Sequence, residues 1–247
     1  MAVSVYTYAQ RPELWEHSGD LAAEVWPECN RHGGVLNENW GRLTDVFAEF
    51  QFVLYDEDDG DILAEGHTAP CPWDGTLAGL GDGIDDMFAA GFRAADAGEP
   101  PRALCAPAAE IRPRYQGRGL AGLILDATAD LGRRHRLSSL IAPVPPSLKE
   151  RYPITPIERY VAWTRGNGQP FDPWIRTHTR RGGQLVKPVP HSMRIAGTVA
   201  GWEGWTAMAF PDDGEYVFPR GLALLSIDRA RDVGSYWEPN VWIVHRL

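Results

Sequence analysis

The chain has 247 residues, of which 44% are hydrophobic and 23% charged, and its formal net charge is −9. That composition excludes a largely disordered chain, and at about 100–200 residues per domain the length allows one large domain or two small ones without a disulfide or metal. The acidic balance argues against a nucleic-acid surface, which carries a basic excess, and suits a cationic small substrate. Cys29, Cys71 and Cys105 show neither CxxC nor Cys/His ligand spacing, and their odd number does not make a disulfide framework. The N-terminal residues lack the basic stretch and apolar core of a signal peptide, and no apolar run approaches the ~18 residues that span a membrane. The expectation is a cytosolic protein with no membrane partner.

In chain order, residues 2–8 alternate as a short strand, and apolar residues recur at helical spacing from Arg11 to Trp26, with Pro12 in the first turn. A second helix is predicted around Leu43–Phe50. Phe52–Tyr55, the turn Asp56–Gly60 and Ile62–His67 read as a hairpin. Residues 72–101 are rich in Gly, Asp and Pro but enclose a helix at Ile84–Ala95, and both flanks are strands, so the segment reads as an insertion. Then come a strand (Ala103–Arg112), a loop (Pro113–Gly119), a helix (Leu120–Arg136) and a buried strand (Leu140–Val144). The apolar face of that helix is Leu120, Leu123, Ile124, Ala127 and Leu131. Beyond a Pro-broken segment, helices are predicted near Ile157–Trp163 and Asp172–Arg181, the latter stopped by Gly182-Gly183. Short strands follow at Gln184–Val186, Met193–Ala196, Tyr216–Phe218, Leu222–Ile227 and Val241–His245. The order predicts one α+β domain on a mixed, twisted sheet, with a strand–loop–helix–strand unit at its centre.

The loop Gln116-Gly-Arg-Gly-Leu-Ala121 opens a helix directly after a strand. Gly117 and Gly119 permit a tight turn and close backbone approach to a ligand, and the unpaired N–H groups and positive end of the helix favour a phosphate. Arg118 adds a potential charge-assisted contact. No Lys follows these glycines as a nucleotidase P-loop requires. Gly117, Gly119 and Gly122 formally match the dinucleotide fingerprint, but that turn belongs at a first strand with an acidic residue ~20 positions on, and Leu137–Ile141 holds no carboxylate.

With Gln116-x-x-Gly119-x-Ala121 and the preceding strand Ala109-Glu-Ile-Arg-Pro113, the chain resembles the GNAT superfamily of acyl-CoA-dependent N-acyltransferases. The element order to about residue 190 is similar as well, and the run from Trp174 through Gly182-Gly183 to Leu185 looks like the family's last helix and sixth strand. The resemblance implies a GNAT-like domain over residues 1–190 with helices on both sheet faces, the 72–101 insertion, and a C-terminal extension (191–247) packed on the same domain. It implies that backbone N–H groups of Gln116, Gly117, Arg118, Gly119, Leu120 and Ala121 bind the CoA pyrophosphate. The backbone around Ala109–Arg112, including Ile111 and Arg112, would hold the pantetheine arm and the thioester carbonyl. For that, the central strand must splay from its neighbour and leave a donor free.

Direct transfer to an amine needs a deprotonated nitrogen, a polarised carbonyl and a proton for the leaving thiolate. Glu110, a carboxylate in a mostly apolar strand beside the loop, is the candidate base, with an arginine ion pair as the alternative. The family places its acid, a Tyr, four residues before the helix-ending glycine; His178 holds that position relative to Gly182. Tyr152 and Tyr160 are the other candidate acids, set against core or acceptor-wall roles. His67 at the hairpin end reads as packing. Lys149 or Arg151 reads either as a CoA-phosphate contact or as a solvated face. Trp202, Trp205, Trp237 and Trp242 read either as a C-terminal core or as a cation-attracting wall. The resulting expectation is an enzyme that moves an acyl group, acetyl above all, from acetyl-CoA or another acyl-CoA to a small-molecule amine. It would use no metal and no nucleic acid and act as a monomer or homodimer. The rivals are a module that binds a CoA or carrier-protein thioester without transfer, and a scaffold that hydrolyses or decarboxylates it.

Overall fold

In the computed structural model, which describes residues 2–16, 21–32 and 34–247, the apolar runs pair into one nine-stranded sheet among those residues. The elements are β1 (Val3–Thr7), α1 (Glu13–Glu16), α2 (Leu21–Val25), α3 (Gly34–Trp40), α4 (Leu43–Val46), β2 (Gln51–Asp56), β3 (Asp61–Cys71), α5 (Ile84–Asp96), β4 (Ala103–Ile111), α6 (Leu120–Arg134), β5 (Ser139–Val144), α7 (Ile157–Tyr160), α8 (Pro173–Arg180), β6 (Gln184–Gly197), α9 (Val199–Thr206), β7 (Gly214–Tyr216), β8 (Leu225–Asp228) and β9 (Val233–Arg246). The strand order is β1-β2-β3-β4-β5-β9-β8-β7, with β6 on the other edge of β9. Part of the expected first helix, residues 17–20, lies outside the described residues.

Two irregularities open the sheet. β4 and β5 run parallel but pair only over Ala103–Cys105 and Ser139–Ile141; past that point they part. Pro143 in β5 and Pro107 in β4 carry no N–H, so neither can donate across the gap. A bulge in β4 opposite His67–Ala69 adds to the local bend. The second opening lies along β9, whose residues 241–246 pair with β5 and 233–236 with β8, so Trp237–Asn240 pair only with β6. Pro239, again without a donor, sits in that interval.

β9 runs between β5 and β6, so the segment read as an extension completes the central sheet. The two short strands expected over 184–196 are one strand, β6, carrying Pro188 and Pro190. As an edge strand paired only with β9 it tolerates both, through register shifts at Leu185/Lys187 and Val189/Met193. α6 packs Leu120, Ile124 and Leu131 against Leu63 and Leu104 of the sheet, whereas Leu123, expected on that face, is 43% exposed. A separate core gathers Trp202, Phe210, Phe218, Leu225 and Tyr236 beneath β8 and β9. No helix among the described residues is long and apolar enough to cross a membrane.

Candidate active site

Residues 116–121 form the turn that the glycines require. Gly117 has φ +78° and Gly119, the residue before α6, φ +83°, and a Cβ added at either would meet nothing within 4 Å. Side chains at these positions would be strained in the left-handed region and would project into open space. The first turn of α6 contains no acidic residue, so its positive end is left for an outside anion. Gly122 has a different purpose: a Cβ there would strike the Arg181 guanidinium, which reaches across to Asp126 at 3.0 Å. The third glycine of the formal dinucleotide match is therefore a helix-packing position.

Two cavities meet at the sheet openings. The first, a trough of about 690 Å³, is lined by Ala109, Ile111, Gln116–Gly117, Gly119–Ala121, Pro145–Ser147 and Trp174. The second, about 290 Å³, is walled by Trp26, Trp40, Ile84, Glu110 and Glu238, among others. Trp26, Asn30, Pro145 and Glu238 belong to both. A narrow cleft of about 40 Å³ runs between β4 and β5 past Ala106–Ala109, Ala142–Pro145 and His178. The trough at the α6 N-terminus, the cleft between β4 and β5 and the carboxylate-walled pocket all have Trp26 and Pro145 in their walls.

No protein-family model matches the chain. The chain is 30% identical over 99% of its length, and 94% of the relative's, to arginine N-acetyltransferase avaD of Aspergillus versicolor. The chain belongs to the GNAT superfamily. Solved structures with a similar fold include the loading GNATL domain of CurA from Lyngbya majuscula (TM-score 0.64, 14% identity, covering 100% of this chain and 98% of that one). The GphF GNAT-like decarboxylase in complex with isobutyryl-CoA gives a TM-score of 0.59 at 15% identity, covering 100% and 99%. This GNAT enzyme is thus an N-acyltransferase that moves an acyl group from CoA to the amine of a small molecule.

Of the residues named from the sequence as cofactor-binding, Ile111, Gln116, Gly117, Gly119, Leu120 and Ala121 line the trough. Arg112 does not: its N–H donates to Leu63, its Nε to the Ile62 carbonyl at 2.9 Å and its Nη1 to Glu24 at 2.6 Å, so strand β3 and helix α2 hold it. The exposed Arg118 side chain lies over the Tyr115 ring at 5.2 Å. Lys149 is buried, donating to the carbonyls of Tyr152, Pro153 and Leu222, and burial lowers its pKa to about 8. It staples two turns together and does not line the trough.

Three expected acids also change role. The Tyr160 hydroxyl donates to Asp172 at 2.9 Å, the carboxylate that caps α8, and burial pushes its pKa upward. Tyr152 stands edge-on to Trp163 in the same aromatic cluster. Neither lines the trough or the pocket. His178 does face the cleft, but burial, reinforced by His245 and Arg181, lowers its pKa to about 3, so no imidazolium is available. Its Nδ1 lies 2.9 Å from His245 Nε2, and its buried Nε2 has no hydrogen-bond partner among the described residues.

Glu110 is buried in the wall of the smaller pocket, and Trp26 Nε1 donates to its Oε1 at 2.6 Å. It pairs in register with Glu65 across β3–β4, and His67 Nε2 stands 3.4 Å from Glu65 Oε2. Burial opposes the His67 imidazolium, yet the Glu65 hydrogen bond and the charges of Glu110 and Glu65 outweigh it and raise the pKa. Ligand-type atoms of these three residues lie within 4.8 Å of one another.

The sequence reading missed Glu238. It is 6% exposed, accepts a 2.7 Å hydrogen bond from Asn30 Nδ2, and has its pKa raised to about 7 by burial against the opposing effect of Asn30 and Asn240. The signal used for Glu110, a carboxylate inside an otherwise apolar strand, also describes Tyr236-Trp-Glu-Pro-Asn240. The aromatic wall of the pocket is Trp26 and Trp40; of the four C-terminal tryptophans, Trp202 and Trp242 are core and Trp237 packs on His191.

Proposed function

We propose that this enzyme transfers the acetyl group of acetyl-CoA to the amine of arginine or a related small molecule bearing a guanidinium group. The observation that carries the reading is the roughly 290 Å³ pocket beyond the strand split, with two buried carboxylates, Glu110 and Glu238, and two indoles, Trp26 and Trp40, on its walls. Buried carboxylates favour a cation that can satisfy them by charge-assisted hydrogen bonds, and indole faces attract a planar guanidinium. The acetyl-transferring, arginine-named relative supports the same substrate class. In this reading Gln116–Ala121 hold the pyrophosphate through main-chain N–H groups, Ala109 and Ile111 flank the pantetheine arm, and Glu110 holds the guanidinium.

The insertion supplies Ile84, strand β6 Met193, and the C-terminal strand β9 Glu238 and Asn240 to the pocket. Acceptor choice therefore rests on these segments. The test is CoA thiol release from acetyl-CoA with a panel of arginine, agmatine, lysine, an arylalkylamine and no amine. Release that is fastest with the guanidinium amines bears the reading out. Equal release with all amines refutes the substrate class, and amine-independent release would mean hydrolysis.

A further inference from the structure

We infer that Glu238, not Glu110, is the general base that deprotonates the attacking amine. The inference rests on the reading that the acceptor occupies the pocket described above. Attack requires the amine nitrogen and the thioester carbon to meet where the pocket joins the cofactor trough. Among the described residues, Trp26, Asn30, Pro145 and Glu238 line both cavities, and Glu238 alone of these can take a proton. Glu110 lines the acceptor pocket only.

The backbone explains why Glu238 reaches the junction. β9 carries it through the interval in which the strand pairs with neither β5 nor β8, so its edge there is open beside Pro145. Asn30 Nδ2 fixes Oε2 at 2.7 Å, which orients the carboxylate and makes Asn30 a positioning residue. The groups that face Glu238 are mixed in sign. Asp85 of α5 disfavours its ionisation, the Cys29 thiol and Tyr236 phenol feel its charge, and Arg220 lines the trough beside it. Arg31 and Glu110 complete the charged groups of the pocket. A carboxyl with a pKa of about 7 is ionised in part at neutral pH and accepts a proton more readily than an ordinary carboxylate.

The step balances without any added reactant. Glu238 carboxylate takes one proton from the ammonium group; the freed nitrogen lone pair attacks the thioester carbon; the C–N bond forms and the C–S bond breaks. The second nitrogen proton passes to the thiolate, so the products are the amide, CoA thiol and one proton that Glu238 returns to solvent.

The experiment is the pH dependence of kcat/KM for wild type, Glu238→Gln, Glu110→Gln and Asn30→Ala, with whichever amine of the panel is turned over fastest. Glu238→Gln is expected to lower kcat/KM at pH 7 by about 10²-fold or more, to leave the acetyl-CoA KM within about twofold, and to abolish the acidic limb near pH 7. The deficit should shrink toward pH 10, where free amine is abundant. Asn30→Ala removes a bond that favours the carboxylate and should move the limb to higher pH, which a merely structural asparagine would not do. A Glu238→Gln rate within about threefold of wild type at pH 7, or a limb that persists in it and vanishes in Glu110→Gln, overturns the inference. Failure of the substrate reading looks different: the fastest amine then lacks a guanidinium, while the Glu238 result stands.

Discussion

A base buried with no ion-pair partner among the described residues should destabilise the fold that carries it, and Glu238→Gln measures by how much. In the unfolded chain this carboxyl releases its proton near 4.5; in the folded protein burial holds the proton to about 7. Between those two values the folded state binds more protons than the unfolded state, so stability falls as pH rises. The loss begins near pH 4.5 and is complete above pH 7, where it amounts to about 3 kcal/mol. Glutamine has the same shape, still accepts from Asn30 and carries no charge to desolvate. The variant should therefore match wild type near pH 4 and exceed it increasingly to pH 8. At roughly 2–4 °C per kcal/mol for a domain of this size, the gap in Tm at pH 8 should be about 6–12 °C. Thermal unfolding of both proteins from pH 4 to pH 8.5 reads this directly. A Tm difference that is constant across that range, or a variant less stable at pH 8, would show that the carboxyl is solvated or paired in the fold, and the argument for it as a tuned base would fall with it. The gain in stability should accompany a loss of activity, as expected where a site is built from groups the fold would otherwise exclude.

Three further outcomes are expected. Gly119→Glu places a side chain in the left-handed region at the mouth of the trough and a negative charge at the α6 N-terminus; calorimetric titration should show CoA affinity reduced at least about 100-fold in a folded variant, and unchanged affinity removes the phosphate cradle. Glu110→Gln keeps the Trp26 hydrogen bond and removes the charge, so the KM for a guanidinium amine should rise about 10–100-fold while kcat changes little; an equal rise for an uncharged amine contradicts the role. Trp202 is fully buried and donates to the Gly234 carbonyl at 2.9 Å, so Trp202→Ala should lower stability by about 3–5 kcal/mol in denaturant titration, and a loss under about 1 kcal/mol means the C-terminal core is not continuous with the fold.

Much of the cofactor half was legible in the chain because its determinants are local. Gly117 and Gly119 occupy the left-handed backbone that only glycine adopts without strain, and the strand before them and the helix after them follow from periodicity over adjacent residues. The same locality let Asp172 announce α8, whose first N–H groups it caps. Family position alone was a poorer guide to the proton donors. His178 holds the family's position for the acid, with Tyr160 an alternative beside it; burial strips the charge from the first, and the second is bonded to Asp172.

The acceptor half was decided only by the fold. Asn30 and Glu238 are 208 positions apart yet hydrogen-bonded, and Trp26 meets Glu110 across 84. No local pattern marks such pairs, since their proximity comes from β9 inserting beside β5 and from α2 packing against β4. The glycine turn and the start of α6 are legible in the chain because both are written in consecutive residues. Which carboxylates come together in the pocket, and which of them burial keeps protonated toward neutrality, depended on long-range packing, because a side chain's dielectric surroundings are made by residues remote from it in the chain.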